Sequence, residues 1–244
     1  KLLVKANQKV QAGEPLFFDK SNEEIKFVSP VSGEIIEISR GEKRRILEVK
    51  IKADKTLVFQ EHDKLKLSSV KAEQIKATLL ASGCWPFIKQ RPYAIIADPN
   101  REPKAIFVSA HATAPLAADY NFTLKGKEAE LQAAVTALSK LTKGKVHVGV
   151  SKDAHSPFTN LEDIAIHRIS GPHPSGNVGT LINKIDPINK GETVWTVTPQ
   201  DLVIIGELLL TGKFNAERLV ALVGSQIEQP RYLTTRIGSE IATM

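Results

Sequence analysis

The sequence predicts an α+β chain of several domains: a β module first, then a small α/β core, then a mixed region richer in strands. Three observations carry this. The first fifty residues alternate apolar and polar positions between Gly and Pro turns and show no helical period. Residues 104–150 run strand, long helix, strand. From Ile164 onward strand-like runs return. With 244 residues, 42% hydrophobic and 25% charged, the chain has an ordinary globular composition and enough length for two or three domains. The expected divisions are 1–54, 55–163 and 164–244.

The first division reads "KLLVKANQKVQAGEPLFFDK", a charged stretch "DKSNEEIKF", then a turn at Ser29–Gly33 and two alternating runs, Ile35 to Ile38 and Ile46 to Ile51. Its spacing, V-x-A-x-x-x-V-x-x-G-x-x-L followed by P-x-S-G-x-I, resembles the barrel-sandwich hybrid of lipoyl and biotinyl carrier domains. In carriers the intervening hairpin presents a modifiable lysine. Here Lys26 stands between Ile25 and Phe27, a partial match, so the module is expected to be structural and to carry no prosthetic group.

In the second division "SSVKAEQIKATLLASG" reads as a helix capped by Ser68 or Ser69, with Ile75 and Leu79 on one face and Gly83 as its stop. "KAIFVSA" is a buried-type strand. "KEAELQAAVTALSKLTKG" is a helix, with Leu131, Val135, Leu138 and Leu141 at helical spacing, and "KVHVGV" is a further strand. A helical crossover makes these two strands parallel. In the third division "IAIHRI", "TVWTV", "LVALVGS" and "RYLTTRIG" read as strands, and "LVIIGELLL" reads as a buried strand leading into an amphipathic segment.

Several function classes are excluded at this level. No apolar run reaches the roughly 18–20 residues of a membrane span. The single cysteine, Cys84, leaves no disulfide framework, Cys-rich zinc module or Cys-ligated cluster within the chain; it fits a reducing compartment and reads as a small buried apolar residue. The net charge of +6 is spread along the chain, densest at "GEKRR", without the basic stripe and interleaved aromatics of a nucleic-acid binder. The chain opens on Lys1 with no signal or transit pattern, and its one Met closes it. It is therefore expected to be a piece of a longer protein.

"ISGPHPSGNVGT", Ile169 to Thr180, invites a phosphate-loop reading. Pro172 and Pro174 have no N–H to give. Gly171, Gly176 and Gly179 fit neither the Walker nor the G-x-G-x-x-G spacing, and "NVGTLINKIDPINKG", broken by Pro187, reads as strand and turn. The stretch is therefore expected to be a rigid turn. His167 and His173 with Asp163 lack metal-ligand spacing, and Ser170 and Ser175 near His173 lack a nucleophile motif. No catalytic residue and no metal site is expected.

The motifs "WPFIKQRPY", "PKAIFVSA…TAPLAADYN", "SGPHPSGNVG", "INKIDPINKGETVWTVTPQD" and "PRYLTTRIG" together resemble the A (alpha) subunits of the Na+-translocating NADH:quinone oxidoreductases. The resemblance runs the length of the chain. It implies a fold related to the NADH-oxidising flavoprotein subunit of complex I and to the C subunit of the Rnf complex, with a β-grasp-like region after about Ile164. It implies a subunit without flavin or iron–sulfur centre of its own, those being held by other subunits. Its partners would be those subunits and quinone, its place the cytoplasmic face of the bacterial inner membrane. A quinone slot needs aromatic walls and a donor for the carbonyl, and "CWPFIKQRPY" supplies both. Trp85 and Phe87 are expected to pack on the ring and Arg91 or Tyr93 to donate, with Lys89 beside them. The alternative is an assembly scaffold without a ligand.

Overall fold

The computed structural model describes residues 1–153 and 155–243. The N-terminal module comprises β1 (Lys9–Val10), β2 (Pro15–Phe18), β3 (Lys26–Val28), β4 (Gly33–Arg40) and β5 (Ile46–Ala53). β1, β4 and β5 form one antiparallel sheet, and β2 pairs with β3. Val4, Val10, Leu16 and Ile35 fill the space between them, because the alternating apolar positions all turn inward. Lys26 lies in β3 opposite Phe18, outside the turn that joins the two strands. Phe27 and Val28 continue past the module and pack on the main core.

The central body follows as α1 (Ala72–Ala81), β6 (Lys89–Arg91), β7 (Ile95–Ile96), β8 (Ile106–Ser109), α2 (Tyr120–Thr123), α3 (Glu128–Ser139), β9 (Val146–Ser151), β10 (Ile164–Ile169), α4 (Val178–Ile185), β11 (Val194–Thr196) and α5 (Pro199–Thr211). A hairpin of β12 (Glu217–Leu222) and β13 (Arg231–Arg236) follows. One six-stranded sheet has the order β10-β9-β8-β11-β6-β7. The strands β10, β9, β8 and β11 are parallel, and β6 and β7 are added antiparallel at one edge. α3 and α5 pack together on one face, where Leu131, Leu138, Ile204, Ile205 and Leu208 share a core with Trp85 and Trp195. α4 covers the other face through Leu181 and Ile182 against Phe107, Ile169 and Val194.

Four expectations need correction. The sheet takes strands from both sides of the division expected at 163/164, so the body is continuous there, and of the described strands from Ile164 onward β12 and β13 are the two that lie outside it. "LVIIGELLL" is helical: Thr198 caps α5 by accepting from the Asp201 N–H, Pro199 opens it, and Gly212 closes it in the left-handed region. Its apolar run is continuous because the helix is buried on nearly every side, which erases the period. "NVGTLINKI" is also helical. Val178, Leu181, Ile182 and Ile185 recur at i, i+3, i+4 and i+7, and Pro187 lies beyond the end of α4 instead of breaking it. The cap expected of Ser68 or Ser69 falls to Lys71, whose N–H donates to Gln74 Oε1 at 3.0 Å.

The contact between α3 and α5 depends on Gly206. A Cβ placed there would lie 1.8 Å from the Glu130 carbonyl oxygen, so any side chain must push the helices apart. Alanine gains about 1 kcal/mol of helix propensity over glycine, whereas forcing a methyl into a packed contact costs roughly 1–3 kcal/mol or more. Gly206→Ala is expected to lower stability on balance, by ~1–2 kcal/mol in equilibrium urea unfolding.

Candidate functional site

Two chain crossovers run in opposite directions past β8: α3 leads from it to β9, and the later α4 leads from β10 back across to β11. Loops therefore diverge at the carboxyl ends of β8 and β11, and a crevice opens there. It holds a cavity of about 780 Å³, inside the roughly 300–1,000 Å³ of small-molecule sites. Its walls come from the loop after β8, the start of α4, the start of α5 and β6.

The five residues expected to converge do not stay together. Trp85 is fully buried, donates Nε1–H to the Ala97 carbonyl at 2.7 Å, and meets Trp195 edge-on at 5.4 Å. It is core, beneath the site, and presents no face to a ligand. Tyr93, at the turn between β6 and β7, is 80% exposed and lies outside the cavity lining. Phe87, Lys89 and Arg91 do line the cavity. Register explains the last two: Lys89 lies opposite Thr196 and Arg91 opposite Val194, so both share the α4 face of the sheet. Gln90 between them turns to the other side with Trp195, and its Oε1 accepts from the Asp98 N–H at 3.2 Å. Phe87 stacks on Phe214 with ring centroids 6.2 Å apart and near-parallel planes.

Other wall residues were not singled out from the sequence. Tyr120 lines the cavity, its phenol pushed up first by burial and second by the Asp201 charge, so it stays a neutral donor. Asp201, 7% exposed, is bound by Arg218 and by the Thr198 hydroxyl. The loop carrying Asp119 and Tyr120 is held from outside by β13: the Tyr232 hydroxyl accepts from Asp119 N–H at 2.9 Å, and its ring lies 4.5 Å from Phe122. The signal for α4 and α5 was present in cap residues and spacing; the signal for the loop was not, because its partners Gly176 and Tyr232 lie 63 and 113 residues from the groups they bond.

The glycine stretch forms part of the wall. Gly176 donates to Thr113 Oγ1 at 3.0 Å and accepts from Ser109 Oγ at 2.6 Å. A Cβ there would meet the His111 carbonyl at 2.1 Å, so only glycine allows the two loops to lie this close. A helix follows directly, contrary to the sequence expectation. The residues weighed as a metal set disperse: His167 faces His147, His173 Nδ1 lies 3.3 Å from Thr113 Oγ1, and Asp163 accepts from Thr136. Among the described residues no group of three or more His, Cys, Asp or Glu is placed to hold a metal. Cys84 is fully buried, its thiol pushed up to about 12 by desolvation, which makes it inert as a nucleophile.

Two family models match the chain. Residues 1–54 match the one described as the NqrA N-terminal barrel-sandwich hybrid domain, and residues 70–214 match the NqrA second alpha/beta domain. The chain belongs to the NqrA family, the A subunits of the Na(+)-translocating NADH-quinone reductases. It is 39% identical to the NqrA of Neisseria meningitidis serogroup A over 98% of its length, and 38% identical to that of Cellvibrio japonicus over 98%. The Haemophilus influenzae relative is 36% identical over 99%. The chain spans about half the length of these curated relatives, 54–55%. No helix among the described residues is long and apolar enough to cross a membrane.

His147 Nδ1 lies 2.9 Å from His167 Nε2 on neighbouring strands, beside the Phe107 ring. Burial holds both imidazoles below the ordinary value of 6.5, aided for His147 by the His167 and Lys145 charges and opposed by Asp186. The unfolded chain therefore takes up these protons first. Stability from this pair is complete above about pH 6.5 and falls as pH drops towards the folded-state values. Urea unfolding at pH 7 and pH 5 is expected to show this loss, and a His147→Asn/His167→Asn double variant is expected to show less of it.

Proposed function

We propose that this chain is part of a peripheral subunit of a membrane respiratory complex that oxidises NADH, reduces quinone and exports Na+, and that it contributes to quinone binding without doing redox chemistry itself. Family membership along nearly the whole chain supports the assembly role. Flavins and the iron–sulfur centre would be held by the partner subunits, and the chain would sit on the cytoplasmic side of the bacterial inner membrane, held there by those partners.

The observation that carries the quinone reading is the cavity that combines Phe87 and Tyr120 with Lys89 and Arg91. Aromatic and aliphatic walls, including Ala112, Val178 and Val197, suit a flat ring; the cations and the Tyr120 hydroxyl suit its carbonyl oxygens. Phe87 also borders a second groove, of about 990 Å³, between the N-terminal module and the segment Arg236 to Ile241 at the end of β13 and beyond it. Phe17, Phe27, Val28, Ile51 and Phe214 line it, a surface fit for an apolar tail. In this role the chain binds and orients quinone; electrons arrive from a neighbouring subunit.

A photoreactive quinone, with and without excess unlabelled quinone, should label the peptides carrying Phe87–Arg91 and Tyr120, both in the full-length protein and in the assembled complex. Phe87→Leu should raise the quinone KM of the complex roughly tenfold, equal to ~1.4 kcal/mol of binding, with kcat little changed. Competable labelling confined to other subunits would overturn the reading.

A further inference from the structure

The cavity contains charge that the fold does not balance. Lys89 and Arg91 line it from alternate positions of β6, yet neither side chain makes an ion pair or hydrogen bond among the described residues, and the Arg91 Nε is buried without an acceptor. The one carboxylate among the described lining residues, Asp201, is already taken by Arg218 and Thr198. Burial pushes the Lys89 ammonium down from its usual range, and only the Asp201 charge opposes this. Cations held partly out of water without a hydrogen-bonded partner are poorly solvated.

The start of α4 brings backbone donors to the same cavity. α4 begins at Val178 with Asn177 as its cap residue, but the Asn177 side chain makes no capping bond. The first N–H groups of a helix have no partner within it, and Val178, Gly179 and Thr180 all line the cavity. A Cβ placed at Gly179 would meet nothing within 4 Å, so the approach to these donors is open. Positive partial charge at the helix start thus faces the same space as two positive side chains.

We infer that this cavity binds the phosphate or diphosphate group of a small molecule, between Lys89 and Arg91 on one side and the start of α4 on the other. Such a group supplies the acceptors that Arg91 Nε and the α4 N–H groups lack, and the negative charge that the two cations lack. The site is not a Walker or dinucleotide loop: the prolines before Gly176 give no donors, and the cations come from an antiparallel strand. The inference shares Lys89 and Arg91 with the quinone reading but does not require quinone to bind, since it uses neither Phe87 nor Tyr120.

The test is isothermal titration of the full-length protein with inorganic pyrophosphate, and with ADP to ask whether a base adds affinity. Saturable binding at one site is expected. Arg91→Met should weaken it at least tenfold. Gly179→Asp should do the same while raising the melting temperature, because a carboxylate in the first turn favours the helix and repels the ligand; Gly179→Ala keeps the backbone donors and should retain binding. The Gly179→Asp result separates loss of the site from loss of the fold. Phe87→Leu should keep pyrophosphate binding even where it weakens quinone, so the two readings fail separately. No saturable binding of either probe, or binding indifferent to both Arg91→Met and Gly179→Asp, would overturn the inference.

Discussion

The architecture of the central body follows from the place of β8. It is buried on both faces and hands the chain on through α3 to one side, while α4 later returns the chain to its other side at β11. Helical crossovers between parallel strands are right-handed, so two crossovers running in opposite directions must lie on opposite faces. That constraint puts α3 on one layer and α4 on the other, with a crevice at the strand ends between β8 and β11; α5, which leaves the sheet after β11 and is not a crossover, packs beside α3. The cavity is thus a product of topology before any side chain is considered.

Side chains then give the crevice its character. The antiparallel β6 extends the sheet past β11, and its alternation sends Lys89 and Arg91 to the α4 side while Gln90 turns to the Trp195 side. The same ten-residue stretch therefore serves two purposes. Cys84, Trp85 and Ile88 are fully buried and anchor it in the core, whereas Phe87, Lys89 and Arg91 face the cavity. Gly176 stitches the loop before α4 to the loop after β8, and Tyr232 braces the latter from the hairpin. Bonds of this kind tie the wall loops to one another and to the hairpin, and a loop ordered in advance lowers the entropy cost of binding.

Much of the fold is legible because its signals are local. The long helix α3 and the strands beside it follow from spacing, and the N-terminal module from alternation between turns. Two helices escape such a reading for opposite physical reasons. α5 is buried so completely that its apolar residues form one run, and strand and helix then look alike. α4 is short, and Pro187, just past its end, looks like a breaker. In both, the caps hold the answer: Thr198 with Asp201 and Gly212 for one, Asn177 ahead of a regular apolar period for the other. The cluster expected at residues 84–93 divides, with Phe87, Lys89 and Arg91 at the cavity and Trp85 and Tyr93 away from it, since nearness in sequence does not say which alternate residues face which layer.

The sequence by itself determined the class of the fold, the N-terminal module, the βαβ unit at its centre and the family to which the chain belongs, because each rests on residue type and spacing over short distances. Only the tertiary structure decided that β10 and β11 join the central sheet, that Trp85 supports the site instead of lining it, and that Lys89 and Arg91 face the start of α4 across a shared cavity. Those facts depend on strand order and register, which bring together residues far apart in the chain, and no local pattern encodes them.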